Sequence, residues 1–532
     1  MVRALEIFYR TEDIQLDEVK RYYVETPGDR STIDQLKARV PMLLRGSRGV
    51  GKSFLLRVAE AEMRDEFENN RVLPVYVTFS RAGLLRLDND GFMPWMIARI
   101  SNAVKRAVTR YGLSLPQNSA LVELTGGSGS TRGRSLDENV IQKFEGFGTD
   151  DRENIELQAL PDPDELKEAI EDLCDDLNIS RMVLLVDEAA HVFVPAQQRE
   201  FFTMMRDLRS PRLSVKAAVY PGATSFGQSF QPTHDAVVID VERGVTESGY
   251  SSAMRELVLK QHDEGKKQLE QYGEVFDVLA FASMGNPRVL LKTYASSLPF
   301  NRARAQESIR DYYRELAWAE HSKLGERYPG HRELIDWGRT FLEHEVLPAL
   351  HARNQDANAS SSAIWVHRDA PQTVRHALSL LCYSGLLLEG ESGIRATRKE
   401  TGTRYVVNFG CNFAQDAEPV QYGSQVRKNF SLKRMQEFGA NHPAFDEIRN
   451  LEIPELEAGG NVALDARLGD SYEVLEVSRF QKEKIGELGL STIGEVLSAT
   501  ELQFQTLHYV GEVRARQIRN AALTAVIEYL SG

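Results

Sequence analysis

Eight residues, Gly46-Ser-Arg-Gly-Val-Gly-Lys-Ser53, restrict what this chain can fold into more than any other feature. The apolar run Val40–Leu44 stops at them, and Phe54, Leu55, Val58, Ala59 and Met63 then recur at helical spacing, so the order is strand, loop, helix. Glycines at 46, 49 and 51 let successive backbone N–H groups curl around a phosphate. The helix that follows aims its positive end at the same point. A chance match to this pattern in a chain of this glycine content is on the order of one in a hundred.

The expected phosphate-binding residues are Gly46, Ser47, Arg48, Gly49, Val50, Gly51, Lys52 and Ser53. Lys52 would neutralise β/γ oxygens, and Ser53 would offer its hydroxyl to Mg2+. A second apolar run, Met182–Val186, ends in Asp187 and Glu188, which supply a carboxylate for Mg2+ and another to polarise the attacking water. Leu73–Phe79, Lys216–Tyr220 and Ala236–Asp240 complete a set of strands alternating with helical stretches, which predicts an α/β fold with a parallel sheet. Beyond Lys216–Tyr220, Tyr220, Thr224 and Ser225 compete to sense the terminal phosphate, against the plainer reading of a turn after Pro221-Gly222. Arg288, in the first turn of a helix begun by Gly285-Asn286-Pro287, stands where the helix dipole disfavours a cation, which suggests a phosphate contact.

At 532 residues the chain is long enough for roughly three to four domains. Its net charge of −13 provides no global field for nucleic acid, so any such contact must come from local patches. Cys174, Cys382 and Cys411 have no metal or redox spacing and fit a reducing cytoplasm, while the longest apolar stretch, near Leu380–Leu388, is too short to span a bilayer. Residues 121–151, which include Thr125-Gly-Gly-Ser-Gly-Ser-Thr131, read as a flexible insertion rather than core. The acidic stretch that follows keeps an apolar stripe, Leu166, Ala169, Ile170 and Leu173, after Asp162-Pro163, as an amphipathic helix would.

The second half is predominantly helical at first. Pro371–Leu387 reads as a helix, and Gly393–Arg398 and Thr403–Phe409 as two strands about a turn, together the outline of a winged helix. Arg395, Arg398, Lys399 and Arg404 would lie on its wing, where they could straddle a duplex backbone, although winged helices also dock proteins. Residues 413–475 read as a connector with some helix, and 476–532 as several short helices with interspersed glycines.

Together these residues resemble the AAA+ ATPases of the origin-recognition-like type, close also to the STAND class of signalling ATPases. Gly46–Ser53 matches Walker A, Val183–Glu188 matches Walker B, and Gly285-Asn-Pro-Arg288 matches the sensor 2 element of a helical lid. The resemblance implies an ATPase core over 1–240, a lid over 241–300, and a helical linker with winged helix over 301–412. It implies ATP and Mg2+ as cofactors, Asp187 and Ser53 at the metal, and Glu188, Lys52 and Arg288 in catalysis. It also implies a homo-oligomer with an arginine finger, for which Arg206, Arg209 and Arg212 are candidates. The tail resembles the helix-hairpin-helix domain at the C-terminus of the RNA polymerase α-subunit, with Gly511, Arg514, Arg516 and Arg519 toward DNA phosphates and Tyr509 where many members have glycine. The expected function is ATP hydrolysis coupled to duplex DNA. The alternatives are a signalling or defence switch that oligomerises on a protein partner, and a loader or regulator in transposition or replication.

Overall fold

The computed structural model describes residues 7–79, 91–116, 118–125, 135–145, 160–189, 195–222, 224–327, 331–355, 359–395, 400–451 and 467–531. Five strands, β1 (Met42–Arg45), β2 (Val72–Thr78), β3 (Arg181–Asp187), β4 (Leu213–Val219) and β5 (Val237–Asp240), make a wholly parallel sheet in the order β2-β3-β4-β1-β5. Their side chains alternate between two cores, as strand geometry requires. Leu44, Val183, Leu185 and Ala218 pack with the helices Pro27–Lys37 and Lys52–Asp65 on one face. Leu43, Leu184, Val186 and Ala217 pack with Phe92–Arg110, Pro163–Asp176 and Pro195–Asp207 on the other. Burial on both faces is why β3 and β4 are apolar almost throughout. All five strands point the same way, so Arg45, Asp187 and Val219 end at one edge of the sheet.

The acidic helix forms as expected: Asp162 accepts from the N–H groups of Asp164 and Glu165 in a capping box, and Leu166, Ala169, Ile170 and Leu173 are buried. The expectation of a flexible insertion over 121–151 is corrected for the described part. Leu136–Glu145 is a helix packed on Phe92–Arg110, with Val140 buried beside Ala98 and a fully buried Asp137 paired to Lys105 at 2.7 Å. The glycine-rich residues 126–134 lie outside the described residues.

Past β5 come the helices Tyr250–Gln261, Lys266–Gln271, Gly273–Ala282 and Pro287–Ser296, and then helical segments over Arg302–Arg327 and Arg332–Gln355. A second sheet follows, built from β6 (Ala363–His367), β7 (Leu387–Arg395), β8 (Thr401–Val407) and β9 (Met435–Phe438) in the order β7-β8-β6-β9. The hairpin β7–β8 is antiparallel, as the sequence predicts, but β7 begins at Leu387 rather than at 393. The first part of the connector expected over 413–475 holds the expected helix and is also built into the second sheet and its core. Pro419–Lys428 is a helix, β9 pairs in parallel with β6, and Phe445 and Ile448 are buried in a core continuous from Met254 onward. Residues 467–531 enclose a separate small core of Leu468, Leu475, Ile485, Ile493, Phe504, Ile518 and Val526, so this unit starts before 476. Its short helices begin at three capping boxes, on Ser478, Thr492 and Thr500. Among the described residues, no helix is long and apolar enough to cross a membrane.

Candidate nucleotide site

The loop between β1 and the helix Lys52–Asp65 has the backbone its glycines predict. Gly49 (φ 80°) and Gly51 (φ 103°) occupy the left-handed region, which a side chain would strain. A Cβ on Gly49 would also lie 2.9 Å from Asn286 Oδ1 and 3.0 Å from Arg288 Cβ, so the loop and the helix Pro287–Ser296 touch closely. Lys52 is buried at the helix start, where Nζ donates to Gly46 O at 2.6 Å and Ser47 O at 3.0 Å. The ammonium also sits 3.9 Å from the centre of the Tyr220 ring. Burial lowers its pKa to about 7, opposed by the nearby charge of Asp187.

The carboxylates stand at the end of β3, with β4 between it and β1. Asp187 is 2% exposed; Tyr76 OH donates to its Oδ2 at 2.6 Å and the Glu188 N–H to its Oδ1 at 3.0 Å. Glu188 leaves β3 at φ 56°, an uncommon conformation outside glycine, and accepts from Thr78 Oγ1 at 3.3 Å. Burial, with Asp187 next to it, holds the Glu188 carboxyl well above the usual carboxylate range. A hydroxyl at the helix start and a carboxylate at the end of β3 are hard oxygen donors of the kind Mg2+ takes beside phosphates and waters, so the residue types of Ser53 and Asp187 fit that ion.

Around the loop, three elements converge. Arg243, just past β5, donates to both oxygens of Asp29 at 3.0 and 2.9 Å, to Val50 O at 2.7 Å and to Gly285 O at 3.2 Å. Asn286 caps its own helix by accepting from Val289 N–H and donates to Arg48 O at 2.8 Å. Arg288 lines the same cavity as Lys52, Ser53, Glu188 and Tyr220, and burial lowers its pKa. Phe8, Tyr22, Val24, Met254, Leu257 and Leu291 add apolar surface to the same cavity. Sequence reasoning missed Tyr76, Asp29 and this N-terminal wall. Nothing near them in sequence marks them, because each reaches the loop only through the fold.

The other expected residues fare unequally. Thr224 turns its hydroxyl to Tyr220 O at 2.7 Å and the Ser225 N–H is taken by Gln198, while Tyr220 itself lines the cavity. Arg206 pairs with Asp207 at 2.8 Å, and Arg212 holds Ile179 O, Ser180 O and Asp175 just before β4 begins, at the sheet edge opposite the loop. Arg209 is exposed. On the second sheet Arg395 is exposed at the end of β7, Arg404 is largely buried and faces Glu391 at 3.5 Å, and Arg398 and Lys399 lie outside the described residues. In the tail, Arg514 donates to Tyr509 O at 2.6 Å and lies over Phe480. Arg516 pairs with Glu512 at 2.5 Å and Glu501 at 3.7 Å, and Arg519 donates to Leu497 O at 3.4 Å. Gly511 stands in open space.

No protein-family model matches the sequence, and no curated protein matches it. Among solved structures the chain is similar to the Walker-type ATPase PABY2304 of Pyrococcus abyssi, at 15% identity over 80% of this chain and 100% of that one, with a TM-score of 0.41. The ORC2 protein of Aeropyrum pernix, solved as ADPNP-ADP complexes, is 11% identical over 77% of this chain and 97% of its own, with a TM-score of 0.36. The ORC1 protein of Aeropyrum pernix in complex with DNA is 12% identical over 77% and 94%, with a TM-score of 0.31.

Proposed function

We propose that this chain is a Mg2+-dependent, ATP-hydrolysing switch of the AAA+ kind, with the bundle 250–296 as its lid. One observation carries the reading: the glycine loop at a helix N-terminus, Glu188 at the end of β3 and Arg288 of a separate helical element line one cavity, with Asp187 buried next to Glu188 and Asn286 donating to Arg48 O of the loop. In that arrangement the loop N–H groups and Lys52 would hold the β/γ-phosphates, Ser53 and Asp187 would hold Mg2+, and Glu188 would orient and polarise the attacking water. Bound Mg2+ supplies charge neutralisation at the phosphates. Arg288 reports the terminal phosphate to the lid. Lys52→Ala is expected to abolish nucleotide binding, whereas Glu188→Gln binds and fails to turn over, because the lysine acts in the ground state and the glutamate only on water. Normal turnover by Glu188→Gln would sink the assignment.

Duplex DNA is the proposed partner of the second sheet, read as a winged helix whose exposed edge carries Arg395. The homo-oligomer is proposed with Arg209 as the finger, since it is exposed and, alone among the three candidates, has no side-chain hydrogen bond or ion pair among the described residues. ATP turnover measured with and without duplex DNA at two salt concentrations tests the coupling; turnover indifferent to DNA would remove it. For the tail, a specific observation favours protein docking. Leu502, Tyr509 and Val513 are 73%, 71% and 68% exposed around the hairpin, while its arginines are tied to their own fold.

A further inference from the structure

We infer that Tyr76 is the positioning residue for the Asp187 carboxylate, and that the helix bearing Ser53 sets Tyr76 in turn through Arg57. The inference rests on the ATPase reading of the site and deepens it. Tyr76 lies on β2, in register with Leu185 of β3, and its hydroxyl crosses to Asp187 Oδ2 at 2.6 Å. A carboxylate can only accept, so the phenol is the donor. With the Glu188 N–H on Oδ1, one donor on each oxygen fixes the plane of a carboxylate that has almost no access to water.

The far side of Tyr76 is braced as well. The Arg57 guanidinium sits 4.1 Å from the centre of the ring and is held by Glu60 at 2.7 Å. Arg57 follows Ser53 by four residues on the same helix, hence about one turn along the same face. One helix therefore carries both the hydroxyl proposed for Mg2+ and the cation that supports the tyrosine aiming the other ligand. Ser53 and Asp187 are thus linked by a chain of side-chain contacts as well as through the sheet. Outer partners of this kind commonly change metal affinity about 10–100-fold when removed.

Tyr76→Phe keeps the ring and its cation contact and deletes one hydrogen bond. The full-length protein would be titrated with a fluorescent ATP analogue, first with EDTA and then across a Mg2+ series. Affinity without Mg2+ should stay within about twofold of wild type, while the Mg2+ midpoint rises about tenfold. Arg57→Met, which leaves the hydroxyl in place but frees the ring, should move the midpoint the same way by a smaller factor. An unchanged midpoint in Tyr76→Phe overturns the inference. Wild-type binding that ignores Mg2+ overturns the ATPase reading instead.

Discussion

Lys216 stands in the middle of a strand that is otherwise apolar apart from Ser214, and it is wholly buried, with no carboxylate paired to it among the described residues. Its ammonium reaches the carbonyls of Ala38 at 2.7 Å, Val40 and Gln35, which follow or close the helix Pro27–Lys37. The lysine thus ties the turn that delivers the chain into β1, and so into the phosphate loop. Burial, with Arg181 near, pushes its pKa down to about 7. An unfolded lysine titrates near 10.4, so between about 7 and 10.4 the unfolded chain binds more protons than the folded one. Stability contributed at this site therefore rises with pH across that window and is lowest at and below its acid end. Thermal melts of wild type and Lys216→Met at pH 7 and 9.5 check it: the wild type should gain on the variant as pH rises, by up to about 1.4 kcal/mol per pH unit. A pH-independent difference would mean that Lys216 stays charged in the fold.

At the scale of elements, Arg243 joins three that are distant in sequence: the helix holding Asp29, the loop at Val50, and the helix end at Gly285. Its pair with Asp29 is nearly dry, at 11% and 7% side-chain exposure. Arg243→Ala leaves a buried carboxylate without its cation and should cost about 3–5 kcal/mol in denaturant unfolding, together with nucleotide affinity. Arg243→Lys, which keeps the charge but loses the forked geometry, should recover only part of both. A loss under about 1 kcal/mol in Arg243→Ala would show that loop and lid do not depend on this junction. The sequence made the local elements legible and this junction illegible, for one reason. Strand β3 with Asp187 and Glu188, the glycine loop, and the Asn286-Pro287 helix start are each written in a few consecutive residues, and each is found within a residue or two of where periodicity puts it. The placement of β5 against β1, the pairing of β9 with β6, and the reach of Tyr76 and Arg243 depend on contacts far apart along the chain. Periodicity has no access to those. The helix Leu136–Glu145 is illegible for another reason: it is short, it follows a glycine-rich run, and Asp137 and Val140 are buried only through its packing on Phe92–Arg110.

For the whole molecule, the open question is what the tail adds to a core whose proposed catalytic residues all precede the second sheet. A chain ended after Leu451 removes the unit 467–531 with its own small hydrophobic core and leaves the continuous core of lid and second sheet intact, so basal ATP turnover should survive. If Arg514, Arg516 and Arg519 each met a DNA phosphate, their loss would flatten the dependence of log K on log salt by about 2.7, at roughly 0.9 per contact. Each is instead engaged at home: Arg514 on the hairpin carbonyl of Tyr509, Arg516 between two glutamates, Arg519 on Leu497 O. Releasing an arginine from such a contact offsets part of what a phosphate would supply, and Glu501 and Glu512 would face the same phosphates. The expected change in slope is therefore less than about one unit, with duplex affinity left to the second sheet. A loss of two to three units on truncation would return the arginines to the phosphates and make the exposed Leu502, Tyr509 and Val513 bystanders. A small change, with Tyr509→Ser altering the partner or copy number of the full chain but not its turnover, would make the hairpin a protein-binding surface carried by an ATP-driven core.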